Sequence, residues 1–249
     1  MSLSPEQVAG FHSDGYLALS DALVPEAIGE LRQLLDPLFD DFTLLPQGAA
    51  QDLAGREPGG MPPRLRSPEI NRVLRLKPEL SRTLAFRRCQ EIANALAGRS
   101  TRYSFDHAIY KQPFNETATP WHQDQAYTGH RRSLRTLHFW IPLQDATVEN
   151  GCMHFVPGSH ALGLVPHQRS APASPTLTAG AGKDVLARAV ACPVPVGGLT
   201  VHTPLTLHYT GPNRTAEARR AWILHFGPFG RWAKLHPGIL LERLQAVLN

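Results

Sequence analysis

After residue 100 the sequence breaks into short runs rich in β-branched and aromatic residues, each closed by a turn signal, and no other feature constrains the fold as tightly. Runs of about four to eight such residues bounded by Gly, Pro and Asn read as strands. The candidates are Tyr103–Lys111, Leu137–Pro142, Met153–Val156, Ala189–Val194, Leu199–His202 and Ala221–Phe226. Asn150-Gly151, Pro157-Gly158, Gly197-Gly198 and Gly211-Pro212-Asn213 punctuate them. Many short strands of this kind suggest an antiparallel sandwich or barrel.

The first hundred residues read as helical. Ser4-Pro5-Glu6-Gln7 combines a capping residue, Pro at the first helical position and Gln at the capping-box position, with Val8 and Phe11 facing inward and Gly15 as the stop. A second helix starts near Pro25 and carries Ile28, Leu31, Leu34, Leu35 and Leu38 at helical spacing. A third is expected from Pro78 to Leu96, with Leu80, Leu84, Cys89, Ile92 and Leu96 on its apolar face and Gly98 ending it. Leu44 to Pro63 and His167 to Asp184 are rich in Gly, Pro and small polar residues and read as long loops, candidate lids over a site. Gly238–Leu248 has the pattern of a C-terminal amphipathic helix. The chain is therefore expected to be one domain over residues 1–249, mainly helical to 100, a β-barrel core over 101–230 and a helix over 231–249.

Composition narrows the function classes. At 42% hydrophobic and 18% charged residues, the chain is an ordinary globular protein, not a disordered one. A net charge of +4 suits an anionic small substrate or cosubstrate. The basic residues are scattered, with no stripe interleaved with aromatics, which argues against nucleic acid. The cluster His130-Arg131-Arg132-Arg135 reads as a solvated face. Three widely spaced cysteines, Cys89, Cys152 and Cys192, make neither a disulfide framework nor a Cys-based zinc site. The start MSLSPEQ is polar and no run of about eighteen apolar residues occurs, so no membrane span and a cytoplasmic location are expected.

The chemistry concentrates in Trp121-His122-Gln123-Asp124. On a strand, residues two apart share a face, so His122 and Asp124 could hold one metal from one strand. Two His and one carboxylate with open positions is the arrangement of non-haem Fe(II) oxygenases, but an isolated His-x-Asp is unspecific. A third ligand must come from elsewhere. His202 and His208 share strand parity, so alternation does not separate them. The residues downstream of His208 do: Thr210, the turn Gly211-Pro212-Asn213 and Arg219 supply a hydroxyl and a guanidinium on a returning strand. His107, His138, His154, His160 and His225 fall in the strand region too and are expected to be structural or to line the cavity.

Three segments, PWHQD at 120–124, FWIPLQDATVENGCMHFVPGSH at 139–160 and LHYTGPNRTAEARRAW at 207–222, resemble the phytanoyl-CoA dioxygenase family of Fe(II)/2-oxoglutarate oxygenases, in that family's order. The YLAL segment after the first helix agrees more loosely. The resemblance implies a mainly β fold with flanking helices: a double-stranded β-helix, a cupin-like jelly-roll barrel with the N-terminal α-helices packed outside. It implies His122, Asp124 and His208 as metal ligands and catalytic centre, Arg219 on the distal carboxylate of 2-oxoglutarate, and Thr210, Trp140 and Gln123 as further cosubstrate contacts. Lys111 precedes the His-x-Asp as a family Lys often does, without a fixed role. The implied cofactors are Fe(II), 2-oxoglutarate as cosubstrate and O2. Arg matches a carboxylate in two-point fashion and keeps its charge, which suits the role of Arg219.

The implied activity is hydroxylation of an unactivated C–H bond of a small molecule, with decarboxylation of 2-oxoglutarate to succinate and CO2. Asp124 is a carboxylate, whereas related halogenases carry a small residue there, so hydroxylation is favoured over halogenation. Desaturation, cyclisation or epimerisation with the same cofactors is the alternative, and product mass separates them. A non-catalytic ligand-binding jelly roll is the alternative of another class; its expected signature, a missing ligand or Arg, is not found. Monomer and homodimer are both compatible with the sequence.

Overall fold

The computed structural model describes residues 2–42, 45–54, 67–128, 136–171 and 174–227. Most of the loop expected around 44–65, the His130–Arg135 cluster and the helix expected over 231–249 lie outside these residues.

The N-terminal signals act as read. Helix α1 spans Pro5–Asp14, with Ser4 and Gln7 forming the reciprocal capping box. It ends at Gly15, where φ is +81° and an added Cβ would lie 2.3 Å from the His160 ring. Helix α2, Pro25–Asp40, buries Ile28, Leu31, Leu35 and Leu38 along one face. A short helix α3, Val73–Leu76, comes next. The single helix expected from Pro78 is instead two pieces, a 3₁₀ turn at Pro78–Arg82 and helix α4 at Leu84–Ala97. Thr83 is the reason: its backbone is extended and its hydroxyl accepts from the Phe86 N–H, making it an N-cap that restarts the helix. Leu84, placed on the apolar face by the one-helix reading, is half exposed, while Cys89, Ile92 and Leu96 are buried and Gly98 stops α4 in the left-handed region.

Thirteen strands occur among the described residues: β1 Tyr16–Leu19, β2 Ala50–Asp52, β3 Pro68–Asn71, β4 Arg102–Lys111, β5 Thr119–His122, β6 Leu137–Pro142, β7 Met153–Phe155, β8 His167–Arg169, β9 Leu177–Ala179, β10 Val190–Cys192, β11 Leu199–His202, β12 His208–Thr210 and β13 Arg219–Gly227. A seven-stranded sheet has the order β1-β11-β6-β13-β4-β3-β2, and a four-stranded sheet the order β10-β7-β12-β5, all pairs antiparallel. The two make the expected jelly roll. Three strands of the large sheet, β1 to β3, come from the part expected to be mainly helical, so the barrel is not confined to residues after 100. The second expected loop contains the hairpin β8–β9, with Ser170, Ser174 and Thr176 hydrogen-bonded across its turn.

Alternation along the strands divides the core. On β6 and β13, Phe139, Ile141, Trp222 and Leu224 point outward and pack with Phe11, Leu31, Leu35 and Ile92 of the helices. Trp140, Ala221 and Ile223 point inward and meet Met153, Phe155 and Val194 of the small sheet and its flank. Burying a large apolar side chain is worth about 1.5–3 kcal/mol, so both faces of β6 and β13 stabilise the fold and neither strand has a solvent-facing side. The three cysteines are free and buried. No helix among the described residues is long and apolar enough to cross a membrane.

Candidate metal centre

The small sheet brings the expected ligands together. His122 ends β5 and His208 begins β12, and the two are direct cross-strand partners with ring centroids 4.1 Å apart. Their Nδ1–H groups donate to the carbonyls of Pro120 at 2.7 Å and Thr206 at 2.9 Å, which fixes both tautomers and leaves Nε2 as the ligand atom. Asp124 is not on the strand as expected. It lies past the end of β5, before the short helix α5 at Gln125–Thr128. The turn still carries its Oδ1 to 3.3 Å from His122 Nε2 and 3.4 Å from His208 Nε2.

The other carboxylate oxygen is held by the large sheet. Asp124 Oδ2 accepts from His138 Nδ1 at 2.6 Å and from His202 Nε2 at 3.0 Å. Two sets of three groups therefore have metal-ligand geometry, His122/Asp124/His208 and Asp124/His138/His202, and they share Asp124. In the first set both imidazole Nε2 atoms face only the Asp124 carboxylate. In the second, both ring nitrogens of His138 are engaged, with Nε2 at 2.8 Å from the Thr136 hydroxyl. The first set is thus the one prepared for an ion, and the second orients its carboxylate. Alternation carries the signal for this support, because His138 shares a face with Trp140 and His202 pairs with His138 across β11 and β6.

Electrostatics agree. Burial alone would raise Asp124, but His208 and His138 hold its carboxyl well below the usual range. Burial and neighbouring His208 lower His122 and bring His202 down to about 3, so both are neutral imidazoles near pH 7. His208 goes the other way: burial opposes its charge, but the Asp124 carboxylate beside it raises it above the ordinary histidine value.

The expected cosubstrate contacts divide. Arg219 is 1% exposed, and its Nε and Nη1 find no hydrogen-bond partner among the described residues. Burial lowers this guanidinium to about 10, so it remains charged at neutral pH. A buried cation with open donors is costly unless an anion completes it, and a carboxylate fits the fork. Trp140 lies beside it, with the guanidinium carbon 5.4 Å from its ring centroid. Thr210 is on β12, two residues past His208; its hydroxyl accepts from Lys111 Nζ at 3.0 Å, which leaves its own proton to give. Lys111, the cross-strand partner of Arg219, is itself buried and also donates to the Gly211 carbonyl at 2.6 Å. Gln123 has its side-chain amide engaged with backbone. Its amide donates to the carbonyls of Gly163 at 2.7 Å and Leu205 at 2.6 Å and accepts from the Val165 N–H at 2.9 Å, so it ties two loops together behind the metal ligands. Arg220 points to the helices, with its guanidinium over Tyr110 and 3.8 Å from Asp36.

A cavity of about 870 Å³ opens onto His122 and Asp124. Tyr127 and Thr128 of α5, His138, His225 and His107 of the large sheet, and Pro175 and Thr176 of the β8–β9 hairpin line it. His154 instead packs edge-on against Tyr209, and His160 packs beside Gly15.

Comparison with known proteins gives this geometry a setting. The family model described as phytanoyl-CoA dioxygenase matches residues 11–221. Phytanoyl-CoA dioxygenase domain-containing protein 1 of Mus musculus is 35% identical over 122 residues, 47% of this chain. The matched part spans 42% of that relative's length, under half of it. The crystal structure of EvdO2 from Micromonospora carbonacea var. aurantiaca is 33% identical and covers 92% of each chain with a TM-score of 0.76; its complex with 2-oxoglutarate aligns with a TM-score of 0.74. The epimerase SnoN, solved with Fe3+, alpha ketoglutarate and nogalamycin RO, shares the fold at 22% identity and a TM-score of 0.70, covering 89% of this chain and 82% of its own.

Proposed function

The chain belongs to the phytanoyl-CoA dioxygenase family, and we propose that it is an Fe(II)/2-oxoglutarate-dependent oxygenase that hydroxylates a C–H bond of a small molecule. The observation that carries the reading is Arg219: a fully buried guanidinium with open donors, in the same barrel as a two-His-one-carboxylate cluster. Iron would be held by Nε2 of His122 and His208 and by Oδ1 of Asp124. These three side chains would leave the rest of the ion's coordination open to the cosubstrate and O2. Bound there, iron with 2-oxoglutarate and O2 supplies the oxidising power, giving succinate, CO2 and one oxygen atom for the substrate.

The chain's own residues do the rest. His138 and His202 keep Oδ2 of Asp124 turned away, so the carboxylate offers one oxygen and does not close a second position. Arg219 takes the distal carboxylate, with the Thr210 hydroxyl as a second donor and Trp140 walling the pocket. Met153, Phe155 and Ile223 keep water from that end. The substrate enters from the 870 Å³ cavity on the side of His122 and Asp124. Residues 1–249 are read as one such unit, with no nucleic-acid or membrane partner.

The test is an anaerobic titration of metal-free protein with Fe(II) and then 2-oxoglutarate, monitored by the visible charge-transfer band of the chelate. The band is expected in wild type and lost in His208→Ala. Its absence from folded, iron-loaded protein sinks the reading. Product mass then separates hydroxylation, which adds one oxygen, from desaturation or the epimerase outcome named for a protein of the same fold.

A further inference from the structure

The inner face of the large sheet carries a second group of titratable side chains that the iron chemistry leaves unused. The His138 ring stacks on His225, with centroids 3.6 Å apart and planes 7° from parallel. His225 meets His107 edge-on at 5.7 Å, and His107 Nδ1 donates to Glu69 Oε1 at 2.5 Å. His138 serves the metal centre through Asp124. His107 lies two strands along, on β4, about 10 Å away at the usual strand spacing. Both line the same cavity as Asp124.

Glu69 is buried and amply supplied with donors. Gln51 Nε2 holds its second oxygen, and Asn71 adds to His107 in favouring the charged form. Burial pushes Glu69 up, but these donors bring it below the ordinary carboxylate value; burial pushes His107 down, but Glu69 raises it above the ordinary histidine value. With Nδ1 committed to Glu69, the group His107 has left for the cavity is its Nε2–H. Arg72 shares the Phe105 ring with it as a neighbour. Its guanidinium carbon is 5.3 Å from the centroid of Phe105, and that ring is 5.6 Å from His107. Arg72 lines the cavity as well. Its backbone sits at φ +57°, anchored by its N–H on the Asp106 carbonyl at 2.7 Å. A non-glycine residue held in that region is strained, and such strain collects at ligand clamps.

We propose that His107 and Arg72 form an anion subsite in the cavity, on the far side of His225 from His138 and Asp124, so that the substrate carries an acidic oxygen group, carboxylate or phosphate, at the end away from the C–H bond that is oxidised. The assignment rests on the oxygenase reading above, since it names the substrate class of that site. Glu69 is a positioning residue: by accepting the Nδ1 proton it orients the His107 ring with Nε2–H to the cavity and raises the ring above the ordinary histidine value, while its own charge is absorbed by His107, Gln51 and Asn71. The aliphatic part of the substrate would run across His225 towards Asp124. Burial and the neighbouring imidazoles hold His225 neutral, so it adds no charge along that path.

The probes are hexanoate, hexyl phosphate and the neutral hexanamide, titrated calorimetrically into anaerobic protein loaded with Fe(II) and saturating 2-oxoglutarate, which occupies Arg219. One or both anions should bind at least tenfold more tightly than hexanamide; which of the two is tighter tells carboxylate from phosphate. His107→Phe keeps the ring contacts and should weaken anion binding about tenfold or more, with hexanamide unchanged. Arg72→Gly removes the guanidinium and relieves the backbone, so it should fold well and lose a similar factor. Glu69→Gln should weaken anions through His107. Equal binding of anion and amide, or variants with wild-type anion affinity, overturns the subsite. The charge-transfer band, recorded in the same samples, reports on the oxygenase reading separately: no band with anion binding intact defeats that reading and leaves the subsite standing.

Discussion

His138 donates its Nδ1 proton to Asp124 Oδ2 across 2.6 Å, and that bond decides which oxygen of the carboxylate faces His122 and His208. A carboxylate free to rotate could chelate a metal through both oxygens and occupy a position that the cosubstrate or O2 needs. Partners that orient a ligand in this way typically contribute about 10- to 100-fold in metal affinity or activity. His138→Ala should weaken Fe(II) binding by about that range, measured by anaerobic calorimetry. His138→Asn should recover much of the loss, because an amide N–H takes the place of Nδ1–H. An unchanged iron affinity in His138→Ala would show that His202 alone orients the carboxylate.

Arg219 and Arg220 are sequence neighbours that face opposite sides of β13. Arg219 is buried in the barrel with open donors, and Arg220 lies over Tyr110 under the helices. Charge-assisted hydrogen bonds contribute about 1.5–3 kcal/mol, roughly 10- to 150-fold in affinity. Arg219→Ala should raise the KM for 2-oxoglutarate by that order while Fe(II) still binds. Arg220→Ala should leave the KM within about twofold, as a partly exposed side chain on the other face predicts. The reverse pattern would place the cosubstrate on the wrong side of the sheet.

The features legible in the sequence are those whose signals are local. The capping box at Ser4 and Gln7 and the glycine stops at 15 and 98 act within one turn, and the structure has all of them. Strands flanked by clear turns, Leu137–Pro142 and Leu199–His202, have the bounds expected. Strands β2, β3, β8, β9 and β12 are three or four residues long and take their form from a partner strand, so no run in the sequence marks them. Thr83 is a capping signal hidden inside an apolar period. His122 and Asp124 come together as expected, but the local reason differs: the turn into α5, not strand alternation, brings the carboxylate round. The role of Gln123 is not legible, because its bonds go to Gly163, Val165 and Leu205, distant in sequence. The His107–Glu69 pair joins strands whose adjacency only the sheet order reveals.

Gly15 links the N-terminal helix to the metal centre. Its φ of +81° and the 2.3 Å approach of the His160 ring to an added Cβ both demand glycine. Its carbonyl accepts from the Thr203 N–H at 3.0 Å and the Thr206 hydroxyl at 2.7 Å, in the segment that leads into His208. Gly15→Ala should cost about 1–3 kcal/mol of stability and also weaken Fe(II) binding, because Thr206 supplies the carbonyl that orients His208. Gly10→Ala is the control: nothing lies within 4 Å of its added Cβ, so it should be neutral or stabilising. Thermal unfolding of the two variants checks the contrast, and equal midpoints would remove the steric argument.

Iron binding and the His208 share of metal-free stability should respond to pH in opposite senses. In the metal-free protein burial opposes the imidazolium, but Asp124 raises its pKa above the ordinary value. A raised folded-state pKa stabilises the protein fully below the unfolded histidine value and loses that contribution as pH climbs through the folded one. The His208 contribution to metal-free stability should therefore shrink as pH rises above the unfolded histidine value, whereas His122, His202 and His225, held neutral in the fold, destabilise it only as pH falls below that value. Asp124 does not contribute to this window: its pKa is depressed, so its share is present above the unfolded carboxylate value and lost only in acid. Fe(II) needs the Nε2 lone pair that the proton occupies, and binding must release it. Iron affinity should fall about tenfold for each pH unit below the His208 pKa and level off above it. The stabilisation by metal, taken as the difference in unfolding midpoint between loaded and metal-free protein, should grow with pH. A difference that stays constant from about pH 6 to 9 would mean that His208 carries no proton in the metal-free site.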